Sequence, residues 1–162
     1  MAATTQGSAD LFKQRFLADR PAEAGLADRV IAWATAKHLL RKWSSAGTVD
    51  SLTCRAVVGQ YEHKILTLET NGLVWVLFGQ LLSGFPNPDP KAREKFHQQL
   101  CARLGKIPGG NSPSADYKSK ASWRLGDMDL PAFLAVADWL LVELQKTHET
   151  TVALHAANRA RH

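Results

Sequence analysis

Residues 51–78 read SLTCRAVVGQYEHKILTLETNGLVWVLF, and the fold turns on how this stretch is parsed. Its first part alternates: Leu52, Cys54, Ala56 and Val58 fall on one face of an extended chain, and Thr53, Arg55 and Val57 on the other. Residues 65–70 and 73–78 continue the texture as two further strands. Asn71-Gly72 between them is the strongest short hairpin signal a sequence offers, because a type I′ turn needs positive φ at both central residues. Residues 59–63 are then expected to be the loop of the first hairpin, and the whole stretch predicts an antiparallel three-strand meander.

Upstream, residues 1–9 are small and polar and are expected to be disordered, since nothing in them repays the entropy of ordering. Leu11, Phe12 and Phe16 share a helix face up to Asp19, and Arg20-Pro21 ends it. Residues 24–40 set Leu26, Val30, Ile31, Trp33, Ala34 and Leu40 at the helical period, with Asp28 early and Lys37, His38, Arg41 and Lys42 late, as the helix dipole favours. Trp43 and the turn-rich residues 44–48 lead into the meander.

Downstream, residues 79–90 are a Gly- and Pro-rich crossover in which Phe85 is the anchor. Asp89-Pro90 starts a helix that passes Phe96, Leu100, Cys101 and Leu104 and stops at Gly105. Residues 106–122 are too polar to pack, and a loop of that length is functional or disordered. Residues 123–125 add a short edge strand. Asp129 caps a last helix striped by Leu130, Phe133, Leu134, Ala137, Leu141 and Leu144, and residues 147–162 form a helical or frayed tail. The fold class that follows is α+β. N-terminal helices precede a three- to four-stranded antiparallel meander sheet with helices packed on one face, all in a single domain over residues 10–146.

Composition narrows the function classes. The chain has 162 residues, 45% of them hydrophobic and 22% charged, which is enough to bury one core without metal or disulfide staples. Cys54 and Cys101 lack a Cys-x-x-Cys partner, so neither a zinc ribbon nor a disulfide framework fits. No apolar run approaches the roughly 18 residues that span a bilayer, so a cytoplasmic protein without membrane contact is expected. No phosphate-binding loop, dinucleotide fingerprint, zincin helix or nucleophile elbow occurs, and no cofactor or metal is implied.

The net charge of +5 is not spread evenly: residues 1–50, 51–88, 89–126 and 127–162 carry +2, 0, +5 and −2. Lys91, Arg93, Lys95 and Arg103 on the helix after Pro90, followed by Lys118, Lys120 and Arg124, are the candidate contacts for phosphate. Against that reading, positions 91, 93 and 95 cannot share one helix face, and a solvated basic face would look the same.

Asp50 with Glu62-His63-Lys64 formally matches the Asp…Glu-x-Lys set of PD-(D/E)XK nucleases, where two carboxylates on adjacent strands hold a divalent metal and the lysine positions water. The competing reading makes Glu62 and Lys64 parts of a solvated hairpin turn. His97 and Cys101 stand one helical turn apart, as two zinc ligands or a buried thiol beside a surface imidazole would. His148, His155 and His162 recur every seven residues. Trp33 and Trp139 read as core, and Trp75 as a strand residue beside Leu73 and Leu77. Trp43 and Trp123 read as aromatics flanking loops, which could stack on bases or cover a pocket but for which core or lid packing is the favoured reading.

From residue 63 to 144 the chain resembles a small, poorly characterised bacterial α+β domain family. Its members join a strand, a threonine-x-glycine turn, a strand, an aromatic-proline crossover, a helix ending in Leu-x-x-Ile-Pro-Gly, and a terminal helix. The matching residues are Thr70, Gly72, Phe78, Phe85, Pro86, Arg93, Leu100, Leu104, Ile107, Pro108, Gly109, Phe133 and Trp139. The resemblance implies the domain type and supplies no catalytic residue. The functional expectation is a binding module and not an enzyme, contacting nucleic acid or a nucleic-acid-associated protein through the basic helix and loop. The alternatives are the nuclease and a small-molecule or protein binder using the sheet and crossover; a homodimer is compatible with each.

Overall fold

In the computed structural model, which describes the backbone of residues 2–78, 90–105 and 120–160 and all their side chains except those of residues 2–8, 46, 90, 92, 93 and 120, the chain begins with α1 (Ala2–Asp19). A 3-10 turn (Pro21–Glu23) leads into α2 (Ala24–Ala36). That helix stops where His38 takes a φ of +55°: the His38 N–H donates to the Thr35 carbonyl at 3.0 Å and the Leu39 N–H to the Ala34 carbonyl at 2.9 Å. These two bonds are a Schellman cap with histidine in the place glycine usually takes. Without a glycine to mark it, the end of α2 reads as continuing to residue 40, and the strand that follows goes unseen.

That strand is β1 (Leu40–Ala46), followed by β2 (Val49–Val58), β3 (Tyr61–Glu69), β4 (Leu73–Leu77) and, after α3 (Pro90–Leu104), β5 (Lys120–Arg124). The strands form one antiparallel sheet in the order β1-β2-β3-β4-β5, so the sheet has five strands and not three to four. The expected edge strand at residues 123–125 is β5, beginning three residues earlier. The chain ends in α4 (Leu130–Arg159), whose N-cap Asp129 accepts from the Ala132 N–H at 3.1 Å, and residues 147–159 continue it. The crossover at 79–89 with Phe85 and the loop at 106–119 with Lys118 lie outside the described residues.

The expected loop at 59–63 is largely strand. Val58 pairs with Tyr61, leaving only Gly59-Gln60 as the turn, and Gly59 supplies the positive φ (+62°) that a two-residue turn of II′ type needs at its first position. The Asn71-Gly72 turn is also not type I′: among the described non-glycine residues only His38 has positive φ. Instead the Gly72 N–H closes onto the Glu69 carbonyl at 2.9 Å, and Gly72 alone is left-handed (φ +83°). The Asn71 side chain completes the turn by accepting from the Leu73 N–H at 3.0 Å.

The core lies on one side of the sheet. Leu52, Cys54, Ala56, Val58, Leu66, Leu68, Val74, Val76, Ala121 and Trp123 point there and are buried. Three helices meet this side of the fold through aromatic rings: Phe12 of α1 on Trp43 (5.2 Å between centroids), Phe96 of α3 on Phe78 (6.0 Å), and Phe133 of α4 on Trp123 (5.6 Å). Helix α2 joins through Trp33, whose indole N–H donates to Asp138 of α4 at 2.8 Å. Trp43 and Trp123 are thus strand residues whose rings pack on helices and not aromatics held out to stack on bases.

One irregularity governs the faces. Cys54 pairs with Leu66, but Arg55 pairs with Lys64, so Ile65 is an extra residue in β3, and it is 1% exposed. The bulge resets the alternation. Past it, His63 and Tyr61 lie on the core side opposite Ala56 and Val58, while Glu62 and Lys64 face away from the helices. Deleting Ile65 would leave Lys64 next to Leu66 in regular alternation, so Glu62 and Lys64 would still face outward, and the change would remove the bulge together with one buried side chain. The deletion is expected to keep a cooperative thermal transition at a lower temperature, with a loss of about 2–5 kcal/mol for the buried side chain, whereas Ile65→Val should cost only about 1 kcal/mol; calorimetry on both variants checks this.

Candidate functional site

The register separates the nuclease candidates. Asp50 sits opposite Ser45 at the start of β2 and Glu62 opposite Val57, seven residues further along that strand, or about 23 Å. They also face opposite sides of the sheet. Asp50, 5% exposed, accepts from Arg15 Nη1 of α1 at 2.8 Å, while its backbone N–H donates to Thr70 Oγ1 at 3.1 Å and its carbonyl accepts from the Thr70 N–H at 2.9 Å. Its work is to tie α1 to the first strands. Glu62 is exposed and pairs with Arg55 at 3.1 Å and Lys42 at 3.4 Å. Lys64 stands across from Arg55, and burial, then that like charge, pulls its ammonium below the ordinary value. Asp50, Glu62 and Lys64 therefore do not converge on a metal, which corrects the PD-(D/E)XK reading. Among the described residues no group of three or more His, Cys, Asp and Glu side chains could hold a metal ion.

The two thiols differ sharply. Cys54 is fully buried in β2, and burial pushes its thiol up to about 12, only partly opposed by Arg41. Cys101 on α3 is half-buried, with Sγ 3.5 Å from His97 Nε2, and the His97 ring stands edge-on to Phe78 at 5.6 Å. Burial lowers His97 below its usual value. A thiol reagent at pH 8 should therefore label Cys101 in the native protein and Cys54 only after unfolding; mass spectrometry of the two tryptic peptides with and without denaturant measures it.

The cations differ in whether a carboxylate answers them, and among the described residues Arg29, Arg41, Lys64 and Arg159 have no ion pair. Lys13 pairs with Asp28 at 3.1 Å, Arg15 with Asp50, Arg20 with Glu23, Lys37 with Asp138 at 3.1 Å, and Lys42 and Arg55 with Glu62. On α3, Phe96 and Leu100 are buried while Lys91 and Lys95, one turn apart, share the exposed stripe and Arg103 flanks it in the last turn. Neither Lys95 nor Arg103 makes an ion pair among the described residues. Arg124 is exposed on the outward face of β5, with Nη1 3.4 Å from the Asn71 carbonyl. The Lys118 position and the Arg93 and Lys120 side chains lie outside the described residues. Trp75 is half-buried on the outward face of β4, between Thr67 and Ser122.

A second constellation was hidden in the supposed turn. His63, wholly buried, lies beneath α4 near His148, whose ring stands edge-on to Tyr61 at 6.3 Å and fills the space a Cβ on Gly59 would need. The spacing of His148 and His155 was visible as a seven-residue recurrence; His63 was not, because the bulge conceals its inward phase.

Comparison with family models, with curated proteins and with solved structures found no match to this chain. Among the described residues no helix is long and apolar enough to cross a membrane.

Burial, and then His148, pulls His63 from its ordinary 6.5 down to about 4. The fold accepts the neutral ring, so the stability that depends on it is complete above pH 6.5 and is lost as pH falls from 6.5 towards 4. The loss is on the order of 3 kcal/mol. Titratable neighbours are His148 on α4 and Tyr61 on β3, while β2 presents only Ala56 and Val58 there. His63→Leu should flatten the decline in melting temperature between pH 7 and 5; an unchanged slope in that variant would exclude His63 as its source.

Proposed function

We propose that the protein is a non-catalytic binding module that contacts nucleic acid, or a partner carried on it, through α3 and the basic chain that follows. The observation that supports this is the contrast in charge pairing: cations elsewhere on the fold are mostly answered by a carboxylate, while Lys95 and Arg103 on the outward side of α3 are not among the described residues. Lys95 and Arg103, with no carboxylate partner among the described residues, can meet phosphates without first displacing one. Lys118, Lys120 and Arg124 extend the same region along the chain, and Arg93 adds to its charge.

Phosphate contact releases counterions, so affinity for short DNA or RNA should be measurable near 50 mM salt and should fall steeply as salt rises. The triple charge reversal Lys91→Glu, Lys95→Glu, Arg103→Glu is expected to weaken binding by at least about tenfold and to flatten the salt dependence by about two to three contacts. Lys13→Ala, which removes an internally paired cation, should change neither. Fluorescence anisotropy with labelled single- and double-stranded oligonucleotides makes the test, and no binding at low salt would end the proposal.

A further inference from the structure

Two large grooves mark the described surface, and their linings differ in charge. The larger, about 730 Å³ between α1, α2 and β1, contains Asp10 and Asp28 as well as Lys13 and Arg41, and Lys13 is bonded to Asp28. It neutralises itself. The other, about 500 Å³, lies where α4 runs past the Gly59-Gln60 turn, and no Asp or Glu lines it. After Leu144 no residue of α4 is buried, so this part of the helix contributes little to the core, yet it keeps a defined face towards the hairpin.

That face carries His148, His155 and Arg159. Their spacings of seven and four residues put all three within about 40° of one line along the helix, over about 16 Å. Opposite them Gln60 Nε2 donates to Tyr61 Oη at 3.1 Å, which turns the phenol's own proton away from Gln60. The groove is thus lined by one permanent cation, Arg159, by the His148 and His155 imidazoles and by the Tyr61 ring, with Val152 and Ala156 among its apolar residues. Its volume is that of a site for a small organic ligand, and its length exceeds a single phosphate.

We infer that this groove binds a nucleotide phosphate, with the phosphates along His155 and Arg159 and the base against Tyr61. Arg and imidazole N–H groups are donors suited to phosphate oxygens, and an aromatic ring accepts any base face without sequence preference. The site does not depend on the α3 surface. Free nucleotide and the phosphorylated end of a strand share this chemistry, and both sources are open to measurement.

The test uses the full chain labelled with ¹⁵N, titrated with a nucleoside triphosphate, with a 5′-phosphorylated trinucleotide and with a short poly-glutamate peptide. Either nucleotide probe should shift the amides of Gln60, Tyr61, His155 and Arg159 at concentrations below about 1 mM, and the stronger of the two identifies the source. His155→Glu with Arg159→Glu, both on exposed helix surface, should weaken that binding about tenfold or more, while the α3 triple variant leaves these shifts in place. Loss of the shifts only in the α3 variant would overturn the inference and leave the α3 reading standing. Equal binding of poly-glutamate, or no shift with either nucleotide probe, would overturn it as well.

Discussion

The single extra residue at Ile65 sets the chemistry of the sheet. A strand buried on one side has a period of two, and any continuous pairing from Cys54–Leu66 would have carried Lys64 and Glu62 to the helix-covered face. The bulge reverses that assignment. It leaves the two charges outside, where Glu62 meets Arg55 and Lys42, and it buries His63, the one residue of the tripeptide that can lose its charge at moderate pH. Both Ile65 and Leu66 then fill the core beside Cys54, so the apolar content of the strand is not reduced by the irregularity.

The same residue explains what was legible in the sequence. Where a strand kept its period, as from Leu52 to Val58, the faces read correctly from alternation alone. Where the period broke, residues 59–63 read as a loop, because Glu62 and Lys64 in the phase that precedes the bulge cannot be core. β1 was lost for a different reason. Its helix-facing residues are Arg41, Trp43 and Ser45, only one of them apolar, and the cap before it uses His38 at positive φ where a glycine would have announced the end of α2. The start of α4 was readable because Asp129 and Pro131 act locally, through one hydrogen bond and one fixed dihedral.

The candidate sites divide in the same way. Charge counting finds α3 because composition survives folding unchanged. It could not say which cations are answered, since pairs such as Arg15–Asp50 and Lys37–Asp138 join residues far apart in the chain. The Asp…Glu-x-Lys match failed for the converse reason: spacing along the chain carried no information about the register that puts Asp50 and Glu62 at opposite ends of the β2–β3 ladder.

These pairings also decide where a ligand can be held. On the outward face of the sheet Ser44 meets Ser51 at 2.7 Å, Thr53 meets Thr67 at 3.2 Å, and Glu62 draws in both Arg55 and Lys42. Groups already bonded across strands must give up those partners before they can bind anything else, and the exchange returns little free energy. The same holds for the Glu23 carboxylate, which Arg20 engages and which lies against Gly72 and Gly126. Cations without a carboxylate partner among the described residues include Lys95 and Arg103 on α3 and Arg159 in the last turn of α4. There the helix backbone satisfies itself, and the side chains carry their charge outward.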